Sequence, residues 1–185
     1  MADTLTPLCE LALKYGADKC QQYGHSYTPW YHQQFEPIRQ EPVRILEIGI
    51  GHPELMVPIV GESYKPGASL RMWAEYFPNA QITGLDIRPE VLFQEDRIST
   101  FLFDQSSPDC LSSMVDSGFE FDIIIDDGSH ELGDMLMTQR FLLPIARKWY
   151  IIEDVRNEYL WAVVQQGFTA RSGMNRWDNL CFRKV

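Results

Sequence analysis

The sequence predicts an α/β fold: a mostly parallel sheet of seven strands, helices on both faces and an antiparallel hairpin at the end. Three observations carry this. Five short apolar runs recur along the chain, amphipathic stretches separate them, and the runs stop at Gly, Asp or Glu. Runs rich in β-branched residues that do not alternate in polarity suit strands buried on both faces, as parallel strands are. Strand, helix, strand, repeated, is the pattern of helices covering a parallel sheet.

Taken in order, Leu8–Tyr15 and Pro29–Ile38 predict two short helices before the first strand, so a helical segment fills about residues 1–40. The strands follow at Val43–Ile50 (VRILEIGI), Gln81–Ile87 (QITGLDI), Ile98–Asp104 (ISTFLFD), Phe121–Ile125 (FDIII) and Trp149–Ile152 (WYII). Between them, Ser69–Phe77 sets Leu70, Trp73 and Phe77 on one helical face and Arg71 and Glu75 on another. Leu132–Arg147 predicts a second helix that Pro144 kinks or ends. A short helix, Glu158–Gln166, leads to a hairpin of Gly167–Ser172 with Leu180–Lys184.

Length and composition fit one domain over residues 1–185, since domains cluster near about 150 residues. With 45% hydrophobic and 23% charged residues the chain can bury a core. Twenty-six acidic against 16 basic residues give a net charge of −10, which argues against nucleic acid as the main partner. No apolar run approaches the roughly 20 residues of a membrane helix, so no membrane partner is expected. The opening MADTLTPLCE lacks the basic and apolar regions of a secretory signal, and a cytoplasmic protein is expected. Cys9, Cys20, Cys110 and Cys181 lie far apart with no C-x-x-C pair, so isolated thiols are expected rather than zinc or redox chemistry.

The chemistry sits where the runs end. The first run leads into Glu47-Ile48-Gly49-Ile50-Gly51, where glycines let the backbone approach a ligand with no Cβ in the way. The pattern is E-x-G-x-G; it lacks the third glycine of a dinucleotide site and the Lys-Ser/Thr of a phosphate loop. The second run ends in Asp86, able to accept from both hydroxyls of a ribose, and the third in Asp104-Gln105, able to read an adenine edge. Together they suit an adenosine ligand without phosphates. The fourth and fifth runs end in Asp126-Asp127-Gly128-Ser129-His130 and Glu153-Asp154. If those ends are neighbours, the carboxylates need a cation, a proton or wide spacing, because unit charges roughly 4 Å apart repel by about 4 kcal/mol at an effective dielectric near 20. Oxygen ligands favour a hard divalent ion such as magnesium. His130, three residues past Asp127, is placed to act as a base.

These residues carry a resemblance. The chain resembles class I S-adenosylmethionine-dependent methyltransferases and, more narrowly, the metal-dependent sugar O-methyltransferases of macrolide biosynthesis. The matching segments are KYGADK (Lys14–Lys19), HSYTPWY (His25–Tyr31), ILEIGIG (Ile45–Gly51), GASLRMWAEYFPNAQITGLDI (Gly67–Ile87), DQS (Asp104–Ser106), FDIIIDDGSH (Phe121–His130) and IIEDV (Ile151–Val155). The resemblance implies a Rossmann-like sheet, S-adenosylmethionine as cofactor, and Mg2+ or Mn2+. It implies Glu47, Gly49, Gly51 and Ser69 on the methionine and ribose side, Asp86 at the ribose, and Asp104 with Gln105 at the adenine. Asp126 is assigned to the local turn or the cofactor side. Asp127, Glu153 and Asp154 fall on the family's metal-binding carboxylates, and His130 on its base. Lys14–Lys19 and His25–Tyr31 match a segment expected over the cofactor or acceptor, with no individual roles.

Two features depart from the family. Residues 52–66 (HPELMVPIVGESYKP) are longer than its usual loop, and the part after Val155 matches nothing assignable. The macrolide enzymes also carry a further N-terminal portion, so their architecture is not carried over and a homo-oligomer stays open. The expected function is methyl transfer to a hydroxyl of a small acceptor, such as a sugar or glycosylated metabolite. The alternative is a non-catalytic nucleoside- or partner-binding domain that keeps the fold.

Overall fold

The computed structural model describes residues 5–185. Helices α1 (Pro7–Tyr15) and α2 (Tyr27–Phe35) precede strand β1 (Arg44–Ile48). Thr6 caps α1 by accepting from the Cys9 amide, Pro7 starts it, and Gly16 at φ 71° ends it. The sequence set the start of α2 at Pro29; it begins at Tyr27, because a proline in the first turn has no helical N–H partner to lose. After β1 come α3 (Pro53–Val60), α4 (Ala68–Tyr76), β2 (Gln81–Asp86), β3 (Gln94–Glu95), β4 (Ile98–Leu102) and α5 (Pro108–Asp116). Then follow β5 (Phe121–Asp126), α6 (Leu132–Leu142), β6 (Ala146–Val155), α7 (Leu160–Val164), β7 (Thr169–Arg171) and β8 (Asn179–Lys184).

The strands form one sheet in the order β3-β4-β2-β1-β5-β6-β8-β7. The five inner strands β4, β2, β1, β5 and β6 are parallel, and β3, β8 and β7 are antiparallel to their neighbours. The sheet thus has eight strands where seven are expected. The extra one, β3, is only two residues long, too short to show as an apolar run. Pro144 does end the long helix, but in a tight turn after which the chain is already extended, so β6 runs ten residues from Ala146. The 52–66 segment, read as a loop, contains α3.

Successive residues of β1 serve different layers. Ile45 joins a core with Trp73, Phe77, Tyr31 and Phe35 under α1, α2 and α4. Leu46 and Ile48 join a second core with Ile124, Leu111, Met135 and Ile152 under α5 and α6. Helix α4 is held at both ends. Gly67 precedes it at φ 77°, where a Cβ would lie 2.3 Å from the Phe93 ring. The Arg97 guanidinium donates to the carbonyls of Ala74, Phe77 and Ala80 at 2.7, 3.0 and 3.2 Å, at and beyond the helix end. All four cysteines are free thiols, three buried and Cys110 half-buried. The functional consequence lies in the strand order: the chain steps from β1 outward to β2 and β4, then returns to β5 on the other side. A crevice opens where the winding reverses, between the exits of β1 and β5.

Candidate active site

The crevice is built by close backbone approach. Gly49 leaves β1 at φ 81°, and a Cβ there would stand 2.0 Å from the carbonyl oxygen of Asp127 at the exit of β5. Gly51, at φ 74°, is as tightly placed: its Cβ would fall 2.2 Å from the Tyr64 hydroxyl. Backbone bonds fix both exits, Gly49 N to Leu85 O at 2.8 Å and Asp127 N to Ile48 O at 2.9 Å. The Asp86 carboxylate accepts from the amides of Ile50 and Arg88 at 3.0 and 2.9 Å, which holds it at the mouth of the glycine turn. A cleft of about 510 Å³ results, lined by Gly49, Gly51, Ser69, Asp86, Asp104 and Gln105 and also by Asp127, His130 and Asp154. That volume is in the usual range for a small-molecule site. Helix α3 walls it with Leu55, Met56 and Ile59.

Asp127, His130 and Asp154 offer ligand atoms that all lie within 4.8 Å of one another. His130 and Asp154 sit at φ 56° and 52°, a left-handed conformation that costs roughly 1–2 kcal/mol for a non-glycine residue. Such strain persists only where the surroundings over-determine it, and it clusters at functional sites. Tyr27 donates its hydroxyl to Asp154, and His25 Nδ1 is 3.6 Å from the same carboxylate. Burial pushes the Asp154 carboxyl above its ordinary range, with Asp127 adding to the push and the two histidines opposing it.

Glu153, expected beside them, is turned inward. It is 1% exposed; Tyr31 donates to its Oε1, and Lys19 Nζ to its Oε2 at 2.7 Å. Lys19 organises this interior. Its ammonium is itself 1% exposed and lies 2.7 Å from Asp127 Oδ2 and 3.3 Å from Glu47 Oε1. Burial alone would pull the lysine's pKa down, yet Asp127, Glu153 and Glu47 together outweigh it and raise it well above the ordinary value. Burial raises Glu153 and Glu47, against the opposing pull of Lys19. Trp73 Nε1 donates to Glu47 Oε2 at 2.7 Å. Glu47 therefore braces the floor beneath the glycine turn and does not line the cleft.

For two other residues the cofactor-side reading changes. Asp126 is 2% exposed and lies beneath the cleft rather than on its wall. Burial pushes its carboxyl up to about 7. Gln105 lines the cleft, but its amide is bonded to Asp126 and to the Ser129 backbone. Asp104 sits at the rim, accepting from the Ser106 amide at 2.9 Å. The residues that sequence reasoning missed are Lys19, Tyr27 and Tyr31. Their segments, KYGADK and HSYTPWY, stood out by resemblance, but no local pattern tells a buried lysine from a surface one.

No family model matches the chain. Among curated proteins it is 37% identical over 157 residues to 8-demethyl-8-(2-methoxy-alpha-L-rhamnosyl)-tetracenomycin-C 3'-O-methyltransferase of Streptomyces olivaceus, covering 82% of this chain and 37% of the relative. It is 38% identical over 159 residues to demethylmacrocin O-methyltransferase of Streptomyces fradiae, covering 83% and 36%. Among solved structures, MycE methyltransferase of the mycinamycin pathway, in complex with Mg, SAH and mycinamycin VI, superposes with a TM-score of 0.68. That match is 35% identical and covers 88% of this chain and 39% of the other. The chain spans under half the length of these relatives. In sequence and in fold, over the matched region, the chain is a relative of the macrolide-type sugar O-methyltransferases.

Proposed function

We propose that the chain is a single methyltransferase domain that moves a methyl group from S-adenosylmethionine to a hydroxyl of a small, sugar-like acceptor, assisted by a divalent metal. The observation that carries this is the meeting of Asp127, His130 and Asp154 on the wall of a cleft whose other lining is the glycine turn and Asp86. A pure nucleoside-binding domain has no use for that cluster. The relatives named above are O-methyltransferases, one of them of a rhamnosyl group, which supports the acceptor class.

The residues fit both groups. Gly49 and Gly51 line the cleft, their missing Cβ atoms letting the Asp127 carbonyl and the Tyr64 hydroxyl close in on the turn, and Ser69 and Asp86 line it beside them. The Asp86 carboxylate retains lone pairs for ribose hydroxyls after its two backbone bonds. Asp104 stands on the same wall for the adenine side. Asp127 and Asp154, with His130 beside them, are a hard, oxygen-rich donor set suited to Mg2+ or Mn2+. Glu153, committed to Lys19 and Tyr31, would support this set from behind. Bound there, a divalent ion supplies Lewis acidity and a template for acceptor oxygens. His130 would take the hydroxyl proton, and the fixed cleft would align that oxygen with the methyl group, which is where positioning contributes most.

The test is titration calorimetry with S-adenosylhomocysteine, NAD and Mn2+. Binding of S-adenosylhomocysteine and Mn2+, with NAD silent, is expected. Tight NAD binding with no S-adenosylhomocysteine heat would overturn the reading. No helix among the described residues is long and apolar enough to cross a membrane.

A further inference from the structure

Gln105 follows β4, while Asp126 ends β5, and β2 and β1 lie between their strands in the sheet. The two side chains nevertheless meet: Gln105 Nε2 donates to Asp126 Oδ1 at 2.6 Å. At its other end, Gln105 Oε1 accepts from the Ser129 backbone N–H at 2.9 Å. The orientation of the amide is dictated by its neighbours, because a backbone N–H can only donate and must face Oε1. Between the two contacts lies Gly128, where a Cβ would stand 2.2 Å from Gln105 Oε1. The Gln105 side chain is therefore seated directly on the turn Asp127-Gly128-Ser129-His130. Gln105 is 6% exposed and Asp126 2%, so water does not readily replace either bond.

We infer that Gln105 and Asp126 are positioning residues: Asp126 orients the Gln105 amide, and the amide fixes the turn that presents Asp127 and His130. Gln105 is then not primarily a reader of the adenine edge. Its place on the cleft wall gives the clamp a second consequence, since one rigid side chain joins the cofactor wall to the turn carrying the acid and the base. His130 holds a left-handed backbone, so the turn relaxes if its fastening is removed. The catalytic consequence rests on the function proposed above; the fastening itself does not.

The test compares Gln105→Leu, Gln105→Glu and the pair Gln105→Glu with Asp126→Asn. Leucine keeps bulk and loses both bonds. Glutamate, compared at pH 8, keeps the acceptor for Ser129 but has no donor for the Asp126 carboxylate. In the pair, the amide introduced at position 126 donates to the carboxylate introduced at position 105, which still accepts from Ser129. Amide exchange at Ser129, read by NMR, is expected to quicken at least about tenfold in both single variants and to return to near the parent rate in the pair. Mn2+ affinity should follow the same pattern, falling in both single variants and recovering in the pair. A merely structural loss would not be rescued by the pair. If Gln105→Leu does not fold, the glutamate variant and its pair decide. Unchanged Ser129 exchange, or a loss confined to S-adenosylhomocysteine affinity, would overturn the inference. If the parent protein binds no S-adenosylhomocysteine, the function reading fails while Ser129 exchange still decides the clamp.

Discussion

Replacing Lys19 with methionine keeps most of the unbranched apolar stem and removes the charged terminus. The ammonium is 1% exposed and contacts Asp127 and Glu153 at 2.7 Å each, with Glu47 at 3.3 Å. Its loss leaves buried carboxylates with no cation in contact. Breaking a buried pair by removing one partner costs about 3–5 kcal/mol. In a chain of this size each kcal/mol moves the melting temperature by roughly 2–4 °C, so a fall of about 6–20 °C is expected. The sign with pH follows from the same groups. Burial already raises Glu47 and Glu153, and without the ammonium their folded values rise further. Raised carboxyl groups are tolerated while protonated and cost stability as pH climbs toward the folded value. The deficit should therefore be small near pH 4.5 and widen toward pH 8. Adding Glu153→Gln to Lys19→Met should recover part of the loss, because an amide needs no counter-charge and can still accept from Tyr31. Circular dichroism melts of the parent, the two single variants and the pair form a double-mutant cycle. A Lys19→Met protein melting within about 1 °C of the parent at pH 8 would refute the reasoning, since no strong buried pair could then exist.

Asp126→Asn tests the most isolated of the buried acids. Its carboxyl is pushed up to about 7 by burial, so the parent loses stability as pH rises from about 4 to about 7, by at most roughly 4 kcal/mol. The asparagine variant keeps the acceptor for Gln105 and should gain melting temperature relative to the parent between pH 5 and pH 8; parallel curves would refute this. Asp86→Ala should weaken S-adenosylhomocysteine binding by about 1.5–3 kcal/mol in calorimetry, the worth of hydrogen bonds to a charged acceptor. His130→Ala should lower turnover by about 10²–10⁴-fold on a hydroxylated acceptor while leaving S-adenosylhomocysteine affinity nearly intact. An unimpaired variant would reassign the base.

The sheet was legible because its strands are buried on both faces, and burial writes itself as uninterrupted apolar sequence. VRILEIGI and FDIII need no tertiary knowledge to be read as inner strands. Edge elements leave no such mark. Strand β3 is two residues with both side chains exposed, and it exists because the chain turns back on β4 at Arg97, whose side chain is held by helix carbonyls far away in sequence. Helix α3 starts at a proline and contains a second, Pro58, which disguised it as a loop. In the site, residues fixed by strand ends could be placed from sequence: Asp127 follows β5, Asp154 lies in the last residues of the neighbouring β6, and the sheet order brings them together with His130. Which way each side chain turns could not. Glu153 and Asp154 are consecutive, and one faces the buried lysine while the other lines the cleft. That difference depends on Lys19, Tyr27 and Tyr31, contributed by α2 and the loop before it, more than a hundred residues earlier.

The lysine also bears on what the cleft can hold. Glu47, Asp127 and Glu153 contact one ammonium while Asp154 stands outside that set, and the four are not equivalent. Glu47 and Glu153 are sealed, with Trp73 and Tyr31 donating to them, and their charge is met from inside by Lys19. Asp154 faces the cleft, accepting from Tyr27, with His25 more distant and no ion pair to Lys19. Asp127 joins the two groups: Oδ2 accepts from Lys19, and Oδ1 stands 3.9 Å from His130 Nε2. A single positive charge fixed in the interior can stabilise the inner acids, but it is spent there and leaves the outer pair under-compensated. A divalent ion on the cleft side would act on that remainder, meeting Asp127 through the oxygen that Lys19 does not hold. The buried lysine and the proposed metal are then complementary rather than competing cations, one permanent and one exchangeable. This division predicts that Lys19→Met lowers thermal stability far more than Asp127→Asn does, whereas Asp127→Asn lowers Mn2+ affinity more. Calorimetry and melts on both variants decide it: the opposite ranking would mean that ammonium and metal share one place.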